Sequence, residues 1–325
     1  MTHPPLKRRH ALGCLVAATA LLAPAWAAGQ YPERPIRFVV AAGAGTTADM
    51  LARSYADKLK SQLGQPVVVD NKPGANTAIG ADAVAKAPGD GYTIGLTSSA
   101  LVINPWIGKQ PFNFAKDLAP VAWTGETPYL VTVSAQLPIH NLDEFVAYAK
   151  KNPGKLGCGT YGVGSPPHLA LELFKQAAGI NVLHVPYKSS AQALPELLSG
   201  QLGCVVEPPP GTLPQIKSGK LRVIAHTGDR TMSAYPAAEA VGKRYPGAAV
   251  VGWQAIFAPA STPKPVLDRL RSEWVKVLAN PDVEQKLRDA GFEPAKGSVD
   301  EFARILAADH EKFGRIIREA GIRFE

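Results

Sequence analysis

Short β-branched or apolar runs alternate with amphipathic helical stretches along most of this chain, and that alternation leaves few folds open. Residues 36–40, 66–69 and 92–97 are apolar runs bounded by glycine and proline, with helical periodicity over 48–63 and 78–87 between them. Strand, crossover helix and next strand make a mostly parallel sheet covered by helices, an α/β fold. After a loop carrying Asn104-Pro105 and Phe112-Asn113, a strand at 119–123 leads into 129–134, and a second alternation begins. It holds helices near 141–151, 168–178 and 191–199 and strands at 156–160, 182–186, 203–207 and 221–227, with Asn141 and Glu144 spaced as a cap pair. The end of the chain differs. A return strand over 249–259 is followed only by helices at 265–279, 282–289 and 299–319, the last opened by Ser298 and Glu301 in capping-box spacing.

Two α/β units imply two lobes. The first sheet has fewer helices of its own, so the helical tail is assigned to it, and the chain then crosses between lobes near 125 and near 250. The expected division is 28–124 with 252–325 as lobe 1 and 125–251 as lobe 2, a double crossover that hinges two lobes about a cleft.

Residues 1–27 read as a signal peptide cleaved near Ala27: Lys7, Arg8 and Arg9, then an apolar run from Ala11 to Ala23, then Ala25-Trp26-Ala27. The apolar run is too short for the roughly 20 residues that cross a bilayer, so export to the periplasm is expected rather than anchoring. The Arg8-Arg9 pair leaves general and twin-arginine export both open. Loss of these three basic residues lowers the formal charge from +8 to +5. The remaining Lys and Arg are interleaved with acids, so no nucleic acid partner is expected. The seven histidines are dispersed and no metal or phosphate motif is present, so neither metal nor cofactor is expected. Cys158 and Cys204 survive maturation; they can pair in an oxidising compartment, but their apolar strand contexts favour two buried free thiols.

Two stretches share a strand, a glycine and hydroxyl-rich turn and a helix: Ile36–Val40 into Gly43–Asp49, and Leu156–Thr160 into Gly162–His168. Backbone N–H groups, hydroxyls and a helix N-terminus at one point are the means of holding an anion. Gly43-x-Gly45-x-x-Ala48, with Asp70 ending the next strand, also mimics a dinucleotide fingerprint. The polar turn Asn71 to Asn76 and the exported setting oppose that reading. Asp49 is expected to cap the following helix and hold the loop, since a carboxylate facing an anion repels it. His168 beside Ser165 is expected to pack on the turn, because no orienting acid marks it as a general base.

Several ordered motifs closely resemble one family. They are Ile36-Arg37-Phe38-Val39-Val40 with Asp49 and Ala52-Arg53, Leu63-Gly64-Gln65-Pro66 through Asn71-Lys72-Pro73-Gly74-Ala75, and Ala83-Val84-Ala85-Lys86-Ala87-Pro88-Gly89-Asp90-Gly91-Tyr92-Thr93. The second half adds Asn152-Pro153-Gly154-Lys155-Leu156, Pro167-His168-Leu169-Ala170, His184-Val185-Pro186-Tyr187-Lys188, and Leu213-Pro214-Gln215-Ile216 through Leu221-Arg222. Across the mature chain these resemble the Bug (TctC-like) receptors of tripartite tricarboxylate transporters.

The resemblance implies a two-lobed type II periplasmic binding protein fold, with a central mostly parallel sheet in each lobe and the ligand cleft between them. It implies a monomer that closes over a small di-, tri- or aromatic carboxylate and delivers it to integral membrane transporter subunits, with no catalysis. The contacts it implies are Gly43, Ala44, Gly45, Thr46, Thr47, Ala75, Asn76, Thr77, Ser98 and Ser99 from lobe 1. From lobe 2 come Thr160, Gly162, Gly164, Ser165, Tyr187, Ser189 and Glu207. Ala41-Ala42 stand where Pro-Phe is common in the family, and Glu207 replaces an aspartate, so selectivity is expected to be unusual. Tyr161 and Tyr187 are candidates for an apolar wall. An exported enzyme acting on a carboxylate would need His168, Glu207 and a hydroxyl within hydrogen-bond reach; a sensory receptor for the same solutes shares every feature.

Overall fold

The computed structural model describes residues 31–322 apart from Lys188 and Ser233. The signal peptide assigned to 1–27 lies outside the described residues.

The first half runs β1 (Ile36–Val40), α1 (Thr47–Leu63), β2 (Val67–Asn71), α2 (Ala78–Ala85), β3 (Thr93–Ser98), α3 (Ala100–Ile107), α4 (Phe114–Asp117) and β4 (Leu118–Pro128). The second runs β5 (Leu130–Ser134), α5 (Leu142–Lys151), β6 (Gly157–Thr160), α6 (Pro166–Ala178), β7 (Leu183–Pro186), α7 (Ser190–Ser199) and β8 (Cys204–Glu207). It continues with α8 (Leu213–Lys217), β9 (Leu221–His226), β10 (Glu239–Ala240) and α9 (Val241–Arg244). The return is β11 (Val251–Pro259), α10 (Lys264–Leu278), α11 (Pro281–Asp289), β12 (Glu293–Pro294) and α12 (Val299–Glu319).

These strands form two six-stranded sheets, ordered β12-β4-β11-β3-β1-β2 and β10-β9-β5-β8-β6-β7. Both contain the same parallel trio, β3-β1-β2 and β8-β6-β7, with one antiparallel strand beside it, β11 against β3 and β5 against β8. β1 is nearly all buried, as expected of a strand covered by helices on both faces.

On one face of sheet one, Trp274 of α10 meets Tyr55 of α1 and Phe38 of β1 edge-on, at ring separations of 5.4 and 5.9 Å. On the other, α12 buries Phe302, Phe313 and Ile316 and packs on α3, β4 and α6. Gly314 permits the approach to α3, because a Cβ there would come within 2.3 Å of the Trp106 indole. The tail therefore covers sheet one and also reaches the second half. The Asn141 cap on α5 and the Ser298 cap on α12 both form, at 2.9 and 3.1 Å.

Two readings of the sequence need correction. Asn104-Pro105 is not in a loop: α3 runs through it, and the buried positions 100–104 supply the packing that overrides proline's aversion to helix interiors. Cys158 and Cys204 are not free thiols but a disulfide. β6 and β8 are neighbours in parallel register with these residues opposite each other, their Cα atoms 4.5 Å apart, inside the span a disulfide bridges.

The passages between sheets lie side by side. β4 continues through Gly125 to Pro128, and the chain enters sheet two at Tyr129. It returns at Val250, and Val251 pairs with Pro128. Thr227, buried and just beyond β9, bonds to both passages. Its hydroxyl accepts from Tyr129 N (2.9 Å) and donates to Val250 O (2.6 Å), while its backbone pairs with Tyr129 O (2.9 Å) and Val250 N (2.8 Å).

The disulfide closes a segment with a sequence separation of 46. Replacing both cysteines with alanine is expected to lower stability by about 2–4 kcal/mol. Denaturant unfolding of the two forms, and of the native protein with and without reductant, measures it.

Candidate ligand-binding cleft

In an open α/β sheet, ligands bind beyond the carboxyl ends of parallel strands where the strand order reverses. Both trios reverse in this way, between β1 and β3 and between β6 and β8. The turns that leave those ends are 41–47, 72–77 and 98–99 in the first half, and 160–165, 187–189 and 207 in the second. β4 also ends on this edge of sheet one, and Leu130 at the start of β5 pairs with Glu207 at the end of β8. The crossing at Tyr129 therefore joins the two carboxyl-end edges.

The turn after β1 is held by its own groups. Thr46 caps α1, accepting from Asp49 N (3.4 Å) and donating to Gly43 O (2.7 Å). Asp49, only 3% exposed, accepts from Arg53 Nε (3.1 Å), Gly45 N (2.9 Å) and Asn71 Nδ2 (2.9 Å). It holds the loop as expected, though the cap itself is Thr46. The Arg53 guanidinium and the Gly45 amide hold the Asp49 carboxyl down at about 2. Gly43 and Thr47 are half-buried, and Ala44, Gly45 and Thr46 are exposed.

The turn after β2 has an unusual backbone. Ala75, Asn76 and Thr77 all have positive φ, at 46°, 49° and 74°. Thr77 stands at the N-cap of α2 without capping it by its side chain. Ser98 ends β3, and buried Ser99 opens α3, again with no side-chain cap.

In the second half the turn after β6 is bonded internally. Ser165 caps α6, accepting from His168 N (3.4 Å) and donating to Gly162 O (2.9 Å). Gly162 N bonds to Thr160 O at 2.9 Å, Ser165 N to Gly162 O at 3.4 Å and Gly164 N to His168 Nδ1 at 3.0 Å. Pro166 and Pro167 then open the helix without N–H groups. In the turn that most resembles an anion cradle, the Gly162, Gly164 and Ser165 amides and the Ser165 hydroxyl are already engaged.

A histidine pair lies behind it. The His168 and His184 rings stack at 3.7 Å, and His184 Nε2 lies 2.6 Å from Thr160 Oγ1. Burial, then the neighbouring His168, push His184 down to about 4, so it is uncharged at neutral pH. Since His168 Nδ1 accepts from an amide, its proton is assigned to Nε2, which faces Glu172 at 3.7 Å.

Thr160, Tyr161, Tyr187, Ser189 and Glu207 do converge, on a cavity of about 10 Å³. That is room for one water. Glu207 is buried rather than solvated at its strand end, and accepts from Tyr161 Oη at 3.2 Å. Tyr187 Oη donates to Glu196 of α7 at 2.7 Å, so neither tyrosine presents a purely apolar wall. Gly162, Gly164 and Ser165 do not line this cavity. Thr47 instead borders a groove of about 430 Å³ along α1, shared with Met50, Arg53, Lys286 and Pro210.

His168, Glu207 and a hydroxyl do not come together as the set an enzyme reading needs. Ser165 Oγ is committed to Gly162 O, the His168 ring to Gly164 N, and Glu207 to Tyr161. Sequence reasoning missed Asn104, whose side chain reaches Asn76, and the His184 contact to Thr160. His184 stood within a quoted motif; Asn104 carried no local signal, because its partner is 28 residues away.

Residues 51–322 match the sequence pattern of the tripartite tricarboxylate transporter family receptor. The chain belongs to that receptor family. A UPF0065 protein of Bordetella bronchiseptica is 36% identical over 306 residues, 94% of this chain and 91% of that protein. The solved structure of R. palustris Rpa4515 with adipate is similar at a TM-score of 0.80 and 30% identity, over 90% of this chain and 99% of that one. Periplasmic binding protein BugD is similar at a TM-score of 0.77 and 30% identity, over 91% of this chain and 100% of its own. A receptor of this family is a binding protein and not an enzyme, and its fold is that of periplasmic binding proteins.

Two expected outcomes test the turns. Asp49 titrates below the roughly 3.9 of an unfolded aspartate, so its stabilisation is present above about pH 4 and lost as pH falls through 4 towards 2. Asp49→Asn should therefore be about 1–2 kcal/mol less stable at neutral pH, with the difference shrinking in acid; chemical unfolding at stepped pH reads it. Ser165→Ala should lose about 1 kcal/mol of stability through the missing cap, seen by thermal melting.

Proposed function

We propose that this receptor is an exported solute-binding protein whose two lobes close over a small organic acid and deliver it to the membrane subunits of a tripartite tricarboxylate transporter. One observation carries the reading: two sheets with the same parallel trio are joined so that their carboxyl-end edges meet beside paired crossovers. Lobe 1 is the half built on sheet one and lobe 2 the half built on sheet two, and the leader over 1–27 directs the chain to the periplasm.

The solute class follows from the donors at the edge and from the adipate in the Rpa4515 structure. The ligand is a di- or tricarboxylate. The contacts are the turns named above, with most direct donation from the 75–77 turn, Ser98 and Ser99 in lobe 1 and Ser189 in lobe 2. Thr77, Ser99 and Ser189 open α2, α3 and α7 without capping them. Gly43 to Thr47 and the Thr160 to Ser165 turn shape the walls, while Tyr187 and Glu207 form the floor on the lobe 2 side. Charge-assisted hydrogen bonds contribute about 1.5–3 kcal/mol each, and micromolar binding needs about 8 kcal/mol. Four to six such bonds are enough after ordering costs.

Thermal-shift screening against C3 to C8 dicarboxylates, malate, citrate and benzoate tests this. At a hundredfold excess over Kd, a true ligand should raise Tm by roughly 5 °C. No shift with any of these acids would overturn the carboxylate reading.

A further inference from the structure

The three positive-φ residues Ala75, Asn76 and Thr77 are the only non-glycine residues of that kind among the described residues, and they are consecutive. For an L-residue the left-handed region costs roughly 1–2 kcal/mol, and a β-branched threonine there is a genuine outlier. A turn of this kind persists only where its surroundings hold it. The holding group is one side chain from a different element.

Asn104 lies inside α3 and is 2% exposed. Its Nδ2 donates to Asn76 O at 2.8 Å, and its Oδ1 accepts from Asn76 Nδ2 at 3.0 Å. The bond to a carbonyl fixes which end of the Asn104 amide is which. Two antiparallel bonds thus grip the middle residue of the turn on both its backbone and its side chain. Thr97 Oγ1 donates to Thr77 Oγ1 at 3.3 Å, and Ala78 N bonds to Ala75 O at 3.0 Å, closing the turn behind them.

The left-handed turn has a second effect. In a helix extended by one turn, the Asn76 carbonyl would accept from Gly80 N. With residues 75–77 left-handed and Asn76 O directed at Asn104, α2 starts only at Ala78, and neither Ile79 N nor Gly80 N meets an acceptor among the described residues. Asn76 also turns its amide to Asn104, so this turn presents backbone to its surroundings.

We propose that Asn104 is a positioning residue of the binding cleft: it holds the 75–77 turn left-handed and α2 short, and so sets the backbone donors that receive the ligand carboxylate. The proposal rests on the 75–77 turn belonging to the ligand site. Asn104 itself touches no ligand.

The test uses Asn104→Ala, Asn76→Gly and the double variant in the purified protein, with hydrogen exchange of amides 76–80 and calorimetric titration of the tightest-binding acid of the panel above. Asn104→Ala is expected to accelerate exchange at 76–80 while β3 and α12 keep their protection, and to raise Kd about tenfold. Glycine enters the left-handed region freely, so adding Asn76→Gly should return Kd to within about threefold of the single Asn76→Gly variant. A purely structural role for Asn104 would give no such rescue. If Asn104→Ala does not fold, Asn104→Asp keeps the side-chain volume and the acceptor while losing the donor to Asn76 O, and takes its place. Unchanged exchange at 76–80, a Kd loss without faster exchange there, or a failed glycine rescue would each overturn the proposal. If no acid of the panel binds the native protein, the carboxylate reading fails by itself, and the exchange arm still decides whether Asn104 holds the turn.

Discussion

The structure depends on Thr227. Four bonds from one buried residue hold Tyr129 and Val250, the two points at which the chain passes between sheets. A single strand joining two sheets leaves them free to rotate, whereas two side-by-side passages tied together limit the ways in which one sheet can turn against the other. Val251 paired with Pro128 continues the tie into sheet one, and Leu130 paired with both Glu207 and His226 continues it into sheet two. Lys312 of α12 donates to Ala249 O at the edge of the second passage, so the helical tail also bears on it.

With the passages fixed, the strand directions follow, and with them the edge on which each carboxyl-end turn lies. β4 and the β1-β2-β3 trio have their carboxyl ends on the edge of sheet one that leads to Tyr129, and β6, β7 and β8 have theirs on the edge of sheet two where β5 begins. The six turns that leave these ends belong to segments separated by up to about half the chain. The disulfide between β6 and β8 and the stacked His168–His184 pair stiffen the second half just below its turns.

The fold was largely legible in the sequence, because alternating periodicities and capping pairs are local signals. Ser298 with Glu301 and Asn141 with Glu144 needed only a three-residue spacing to be read, and both caps form. The turns at the carboxyl ends of the strands were legible as places, since a glycine and hydroxyl-rich turn after an apolar run is also local. Their donors were not. Ser165 and Thr46 read as anion donors but cap their own helices, and the choice between those roles is made by geometry over a few ångströms. Asn104 was invisible for a further reason: its neighbour Pro105 argues for a loop, and only packing of α3 under α12 makes the segment helical.

By itself the sequence determined the α/β class, the two windings and the family, all of which follow from short-range periodicity and ordered motifs. Tertiary structure alone decided that Cys158 faces Cys204, that Asn104 grips Asn76 and that Thr227 joins the two passages. Each of these joins residues far apart in the chain but neighbours across a sheet, a turn or a crossover. Such neighbours are set by strand order and register, which no local pattern encodes.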